Sequence, residues 1–369
     1  MGSDRAAPGT MARHTLGVPS LSVSSPVRCF AASALLVLAS CTTFGTAREH
    51  RLPRWVPLDS PTRASLRGVS VVSRDVVWVS GSGGTCLRSL DAGRSWLPCR
   101  VPGAPDRDFR DVHAFDANTA VLMAVGAPAL IFRTDDGGAT WQRTFEDARP
   151  AAFLDGLAFA DDHTGWVFGD PVDGAFALLA TADGGRTWKP TNAPPPLPGE
   201  AAFAASGTSL VPLPHGGLLI GTGGGPVARV LRKPNADAGF TFATTPLTAA
   251  APSRGIFSLA LCGADAIAVG GDYRAPESPH AAAALSRDAG RTWRTPRHQG
   301  PRGYRSAVAF VPNTPLALAV GETGADLTRD AGDTWEPAGD TGYHALAFAQ
   351  GGTGYAVGSQ GRIARIEWQ

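Results

Sequence analysis

Ser89-Leu90-Asp91-Ala92-Gly93-Arg94-Ser95-Trp96 decides the fold, because the chain repeats it. It returns at Thr134-Asp135-Asp136-Gly137-Gly138-Ala139-Thr140-Trp141 and at Thr181-Ala182-Asp183-Gly184-Gly185-Arg186-Thr187-Trp188. Further copies centre on Asp288 with Trp293 and on Asp330 with Trp335, and a worn copy runs Asn235-Ala236-Asp237-Ala238-Gly239-Phe240-Thr241-Phe242. The steps between the aromatic positions are 45, 47, 54, 51 and 42 residues. A period of that size fits one four-stranded blade of a propeller. The chemistry of the octapeptide is that of a turn. Its Asp carboxylate can accept backbone N–H bonds inside the loop, and its Gly can take positive φ. Its hydroxyl closes the loop and its Trp buries a ring. Asp91, Asp136, Asp183, Asp237, Asp288 and Asp330 are therefore read as structural, and no metal is expected there.

Outward from each turn the same strands recur. An inner strand, such as Val112-His113-Ala114-Phe115 or Ala307-Val308-Ala309-Phe310, is followed by a second strand running into glycine. The second strand occurs in seven copies, from Val77–Gly81 to Tyr355–Gly358, against six octapeptides. The last unit has neither turn nor fourth strand. Trp55-Val56-Pro57 resembles the opening of the other fourth strands, Trp96-Leu97-Pro98 and Trp335-Glu336-Pro337. The expectation is an all-β, seven-bladed propeller over 52–369, closed by residues 52–60 as the outer strand of the last blade. The blades fall at about 61–101, 102–148, 149–194, 195–248, 249–297, 298–339 and 340–369 plus 52–60. Such a clasp removes the open edges of the ring.

The residues before 52 read as targeting sequence. Arg13 and Arg28 precede an apolar run that ends in Leu38-Ala39-Ser40-Cys41, which resembles a bacterial lipobox. Residues 1–40 are then a lipoprotein signal peptide, 41–51 a tether, and Cys41 the lipid-bearing residue of an exported, envelope-facing monomer. Thr42, rather than Asp, points to the outer membrane. Export permits disulfides. Cys86 and Cys99 flank one turn symmetrically, and either a bond or two separate thiols fits; Cys262 reads as an inert strand residue. A net charge of +1 with 18% charged residues leaves no basic field for nucleic acid.

The octapeptide resembles the Asp box of sialidases and related propellers. With the blades in view, the chain resembles the photosystem II stability/assembly factor-like propellers of bacteria, a BNR/Asp-box group. The shared stretches are Gly169–Gly174, Pro198–Thr208, Gly255–Leu259, Val269–Tyr273 and Gly303–Ser306. The resemblance implies the fold, and for its photosynthetic members a chaperone role in assembling a membrane complex. Other members carry oxidoreductase or glycosyl hydrolase labels.

Propeller topology puts the inner-strand entries and the second-to-third-strand loops on one face, opposite the Asp boxes. The polar residues at those positions are Arg67, Arg110, Asp111, Asp155, Ser206, Ser258, Tyr304, Arg305, Ser306, Tyr343 and His344, with Asp170, Asp173, Asp272, Tyr273 and Glu322; Glu200 lies just ahead of the fourth inner strand. They form a candidate ligand ring around the channel mouth. No G-x-S-x-G, H-E-x-x-H or Walker loop is present, and no cofactor is expected. The favoured function is a non-catalytic binding or assembly scaffold for a protein, peptide or glycan. The alternative is a glycoside hydrolase drawing on Asp155, Asp170, Asp272 and Glu322. A sialidase is disfavoured, because Arg51-Leu52-Pro53, its Arg-Ile-Pro look-alike, precedes the closing outer strand.

Overall fold

The structure is a computed structural model that describes residues 52–278 and 281–368. The signal, tether and lipidation readings lie outside the described residues. The strands of the described residues form seven antiparallel sheets, six of them following chain order outward from the inner strand and the seventh closed by the first strand of the chain. The inner strands are Leu66–Val71, Phe109–Ala114, Leu154–Phe159, Leu210–Leu213, Arg254–Cys262, Ala307–Phe310 and Ala345–Phe348, in blades 1 to 7. The second strands are apolar and buried throughout, as in Val77–Gly81, Ala120–Ala124 and Ala317–Gly321. Sheets covered on both faces need such near-continuous apolar runs. The cores lie between adjacent blades: Trp78 of blade 1 packs with Phe109, Leu122 and Trp141 of blade 2.

Pro53–Leu58 is the outer strand of blade 7, pairing antiparallel with Ile363–Trp368 from Pro53↔Trp368 to Leu58↔Ile363. Trp55 stands opposite Ile366 as Trp335 stands opposite Thr328 in blade 6. The clasp therefore has the register of an ordinary outer strand. Blade 5 departs from the four-strand expectation. It has three strands, and its outer position is held by one bridge, Leu285↔Arg294. Pro296 follows two residues later, and proline has no N–H to continue a ladder.

The Asp boxes fold alike in five blades. In blade 1, Ser89 Oγ donates to Asp91 Oδ1 at 2.9 Å, and the Gly93 N–H donates to Ser89 Oγ at 2.8 Å. The Ser95 N–H and hydroxyl donate to the two Asp91 oxygens at 2.9 and 2.6 Å. The same contacts recur around Asp136, Asp183 and Asp288, and their core around Asp330. The Ser95 hydroxyl and N–H hold the Asp91 carboxyl at a pKa of about 2. The reading of Asp237 is corrected. In the worn copy Asn235 Oδ1 accepts the N–H groups of Asp237 and Ala238, at 3.0 and 2.9 Å. Asn235 thus keeps the part that Ser89 plays toward the Asp91 N–H in blade 1, whereas the Asp237 carboxylate takes none of the bonds that Asp91 accepts from Ser95.

Each box also ties to the inner turn of its own blade by one N–H. Ala92, Gly137, Gly184, Ala236, Ala289 and Ala331 donate to the carbonyls of Asp75, Asn118, His163, His215, Ala264 and Pro315. Blade 7 has no box, and there Trp368 Nε1 donates to Gly352 O at 3.0 Å instead. Cys86 and Cys99 are disulfide-bonded, with Cα atoms 5.2 Å apart. Cys262 is half-buried and is not a free thiol.

Candidate functional site

The mouth is built by a backbone irregularity that repeats from blade to blade. Where the inner strands of blades 1, 2, 3 and 5 begin, the pairing slips between Leu66 and Gly68, Phe109 and Asp111, Leu154 and Gly156, and Ile256 and Ser258. The extra residues are Arg67, Arg110, Asp155 and Phe257. A bulge re-aims a side chain off the regular face of a strand; of the four, Arg67 and Arg110 are half-buried, and Asp155 and Phe257 are buried. The second strand ends against each bulge with a glycine in blades 1, 3 and 5. A Cβ on Gly81 would lie 2.5 Å from Ser65 O, one on Gly169 2.3 Å from Phe153 O, and one on Gly270 1.9 Å from Gly255 O.

Blade 4 supplies a floor. Its inner strand starts late, and the preceding segment Phe203–Gly207 ties to four other blades. Arg110 Nη1 of blade 2 donates to Ala204 O at 2.7 Å. Gly207, at φ +76°, bridges to Gly156 of blade 3 and packs on the Asp111 carboxylate. Ser206 Oγ donates to Ser306 O of blade 6 at 2.8 Å. The Phe203 ring stacks on Phe257 of blade 5 with centroids 4.0 Å apart. This segment therefore lies across the mouth and turns the channel entrance into a bowl.

Charge in the bowl is unevenly satisfied. The Arg110 Nε donates to Asp108 at 2.7 Å. The half-buried Arg67 makes no hydrogen bond or ion pair, and burial followed by repulsion from Arg110 lowers its pKa. Asp155 is buried, its Oδ2 has no hydrogen-bond partner, and burial and then the neighbouring Asp170 push its pKa well above the usual carboxylate range. Burial also raises Asp170, which accepts the Ala202 N–H at 3.0 Å. His344 Nδ1 lies 3.0 Å from Leu66 O, so that nitrogen carries the proton, and Nε2 faces Glu322 at 3.8 Å. Burial, then the charge of Arg67, lowers the His344 pKa to about 4, leaving the ring neutral at pH 7. The aromatic wall is Phe203, Phe257, Tyr304 and the 44%-exposed Tyr273.

Other residues read as site candidates are locked elsewhere. Arg305 is fully buried, and its Nε donates to Asp326 Oδ2 at 2.7 Å. Glu200 accepts two bonds of 2.6 Å from Arg229 and one of 2.5 Å from Thr222. Tyr343 is buried and stacks on Trp55 at 5.0 Å, so it packs the seam rather than lining the bowl. Asp111 is buried and accepts the N–H groups of Val112 and Leu157, tying blade 2 to blade 3; burial raises its pKa to about 8. Ser206, Ser258 and Ser306 are spent on bonds between inner strands. Asp272 accepts from Arg254 Nε at 2.8 Å at the rim, and Asp173 pairs with Arg149 at 3.0 Å. The sequence reading missed Phe203 and Phe257, because it collected polar residues alone. The stretch Pro198–Thr208 stood out, but nothing in its spacing says that it crosses the mouth.

The fold and the site define a seven-bladed Asp-box β-propeller with a charged, aromatic bowl on the face opposite its boxes. The family model described as photosynthesis system II assembly factor YCF48 matches residues 47–152. The photosystem II stability/assembly factor HCF136, chloroplastic, of Oryza sativa subsp. japonica is 28% identical over 114 residues, 30% of this chain. The match spans about a quarter (26%) of that relative's length. Among solved structures, YCF48 bound to D1 peptide aligns with a TM-score of 0.59 at 16% identity, covering 84% of this chain and 94% of that one. YCF48 from Cyanidioschyzon merolae gives 0.59 at 15% identity over 86% and 99%. U3-55K gives 0.58 at 14% over 85% and 98%, a likeness of fold alone. The family these matches support is that of the photosystem II assembly factor-like propellers.

Proposed function

We propose that the chain is an exported, lipid-anchored scaffold whose bowl captures a protein or peptide segment and holds it during assembly of a larger complex. The observation that carries this reading is Arg67. A guanidinium half-removed from water, beside a second arginine and with no partner of its own, keeps a desolvation cost that an anionic group of a ligand would repay. The exposed ring of Tyr273 and the half-buried ring of Phe203 offer apolar contact area of the kind that dominates docking energetics. A solved relative by fold is described as bound to a peptide. The anchor is the lipid on Cys41, at the end of the Leu38-Ala39-Ser40-Cys41 motif.

The test is capture from solubilised membranes by wild type and by Arg67→Ala, with mass spectrometry of the bound material. The variant should fold with an unchanged melting temperature and lose at least about tenfold in capture, the value of one charge-assisted contact. Capture at wild-type level by Arg67→Ala would overturn the assignment of the bowl. The anchor is checked separately: Cys41→Ala should remove incorporation of labelled fatty acid and release the protein from membranes.

One observation favours the glycoside hydrolase reading. Asp155 and Asp170 are neighbouring carboxyls, both with raised pKa, and a general acid needs that shift. Hydrolysis of glycoside substrates that disappears in Asp155→Asn would establish it.

A further inference from the structure

The residue three places after the aromatic of a box turns its N–H inward, to the third strand of its own blade. Cys99 donates to Cys86 O at 2.9 Å in blade 1, Thr191 to Leu178 O at 2.8 Å in blade 3, and Thr245 to Ala228 O at 2.8 Å in blade 4. Outer-strand prolines stand one place earlier, at Pro98, Pro190 and Pro337. There alternation points the backbone nitrogen away from the ladder, and no hydrogen is needed. In blade 5 the proline is shifted by one. Trp293-Arg294-Thr295-Pro296 puts it at the third place, and the ladder stops at Arg294, which exchanges both its backbone bonds with Leu285.

This leaves one position of the third strand open. The Ala282 carbonyl accepts the Gly270 N–H at 2.9 Å, so by alternation Ala283 turns its N–H and its carbonyl outward. Among the described residues neither group has a partner. Ala281, the next outward-facing residue, already accepts the Thr248 N–H at 3.1 Å. The displaced segment goes to blade 6 instead: the His298 N–H donates to Asp333 O at 3.3 Å, and Gln299 O accepts the Trp335 N–H at 2.9 Å. Between the open edge and that segment is a cavity of about 590 Å³, with Ala282 and Ala283 on one side and Pro296, His298 and Gln299 on the other.

We infer that this slot takes an extended segment of a partner protein, which completes blade 5 as its fourth strand by pairing with the N–H and carbonyl of Ala283. An open sheet edge recruits a strand through main-chain bonds. The incoming residue that meets Ala283 must carry an N–H, which excludes proline there. Arg297 lies between two lining residues, is exposed and meets no carboxylate among the described residues, so it favours an acidic residue on the segment. A second copy of the disc does not suit the slot. A single inserted strand buries far less than the roughly 1,600 Å² of a standard protein interface.

The probe is a synthetic peptide with the sequence Gln142–Asp147, the outer strand of blade 2, which has no proline and ends in two carboxylates. Its binding to the full chain is read by fluorescence anisotropy, and the slot is read by amide hydrogen exchange of Ala283 in isotope-labelled protein. Ala284, whose N–H faces the second strand, is the internal reference. Saturating peptide should slow exchange at Ala283 at least about tenfold and leave Ala284 unchanged. The same peptide N-methylated along its backbone should bind at least about tenfold more weakly, as for the loss of one or two hydrogen bonds. No binding, equal binding of the N-methylated peptide, or unchanged Ala283 exchange at saturation would overturn the inference. Exchange that slows with rising protein concentration, without peptide, would give the slot to a second copy and overturn the partner assignment. The slot shares no residue with the bowl, so each result stands whatever the bowl is found to bind.

Discussion

The two faces of the disc use the same residue types to opposite ends. On the Asp-box face, carboxylates are exposed yet saturated: Asp91 accepts from Ser89, from the Ser95 N–H and from the Ser95 hydroxyl. On the bowl face, a carboxyl and a guanidinium are more deeply buried yet incomplete: Asp155 Oδ2 is orphaned and Arg67 has no partner. Polar groups that lose water usually regain it as hydrogen bonds. Where they do not, the fold bears a cost, and that cost marks where a ligand can act. For the carboxylates the comparison teaches that what differs between Asp91 and Asp155 is not residue type but how many of the carboxylate's bonds the fold supplies.

The sharpest way to break that comparison is to cut a buried ion pair on the bowl face. Asp326→Ala strands the buried Arg305 guanidinium, and Glu200→Ala strands Arg229. Each should cost about 3–5 kcal/mol, the value for removing one partner of a buried ion pair. Urea unfolding with intrinsic fluorescence measures it. Arg67→Ala, on the same face, should cost nothing or slightly stabilise, since it removes an unpaired charge. A loss of 3 kcal/mol or more in Arg67→Ala would erase the distinction.

Next in size is the pH response of Asp111. Its folded pKa of about 8 lies above the unfolded carboxylate value, because burial disfavours the charge. The native state therefore holds a proton that the unfolded chain releases between about pH 4 and 8, so this group makes stability fall as pH rises through that window. Asp111→Asn should flatten the decline between pH 5 and pH 8 in chemical denaturation. A slope unchanged by the substitution would mean that Asp111 is ionised and paired in the fold. The boxes run the other way. Asp91 and Asp136 titrate near 2, so their contribution is complete above about pH 4 and is lost as pH falls toward 2.

What the sequence made legible follows the same division. A turn that satisfies itself needs only local residues, so the octapeptide exposed its own chemistry, and Trp55 exposed the seam by copying the strand that follows each turn. The mouth is made by bulges and by a segment that crosses to other blades. Neither leaves a periodic trace, so Arg305 and Glu200 looked like Arg67, although each meets a partner about 20 or 30 residues away, Asp326 at 2.7 Å and Arg229 at 2.6 Å. Phe203 and Phe257 were invisible to a search for charge. The worn turn shows the limit even of local reading, because its pattern kept an Asp at the expected place although the bonds that fix this turn go to Asn235 and none to the Asp237 carboxylate.

That last difference gives the smallest and most discriminating test, since Asp183 and Asp237 occupy the same place in one motif. Asp183 accepts the Thr181 hydroxyl and both the N–H and the hydroxyl of Thr187, at 2.8, 2.9 and 2.7 Å. Asp183→Ala should cost roughly 1–2 kcal/mol, the low end for bonds to a charged acceptor, because the turn is partly solvated and water can replace them. Asp237→Ala should stay within about 0.5 kcal/mol of wild type, as for an ordinary surface change. In that blade Asn235→Ala is the damaging substitution, for it removes the acceptor of the two N–H groups that fix the turn. Equal losses at Asp183 and Asp237 in urea unfolding would show that the motif stabilises through something other than its carboxylate, and the account of the boxes given by their hydrogen bonds would fail with it.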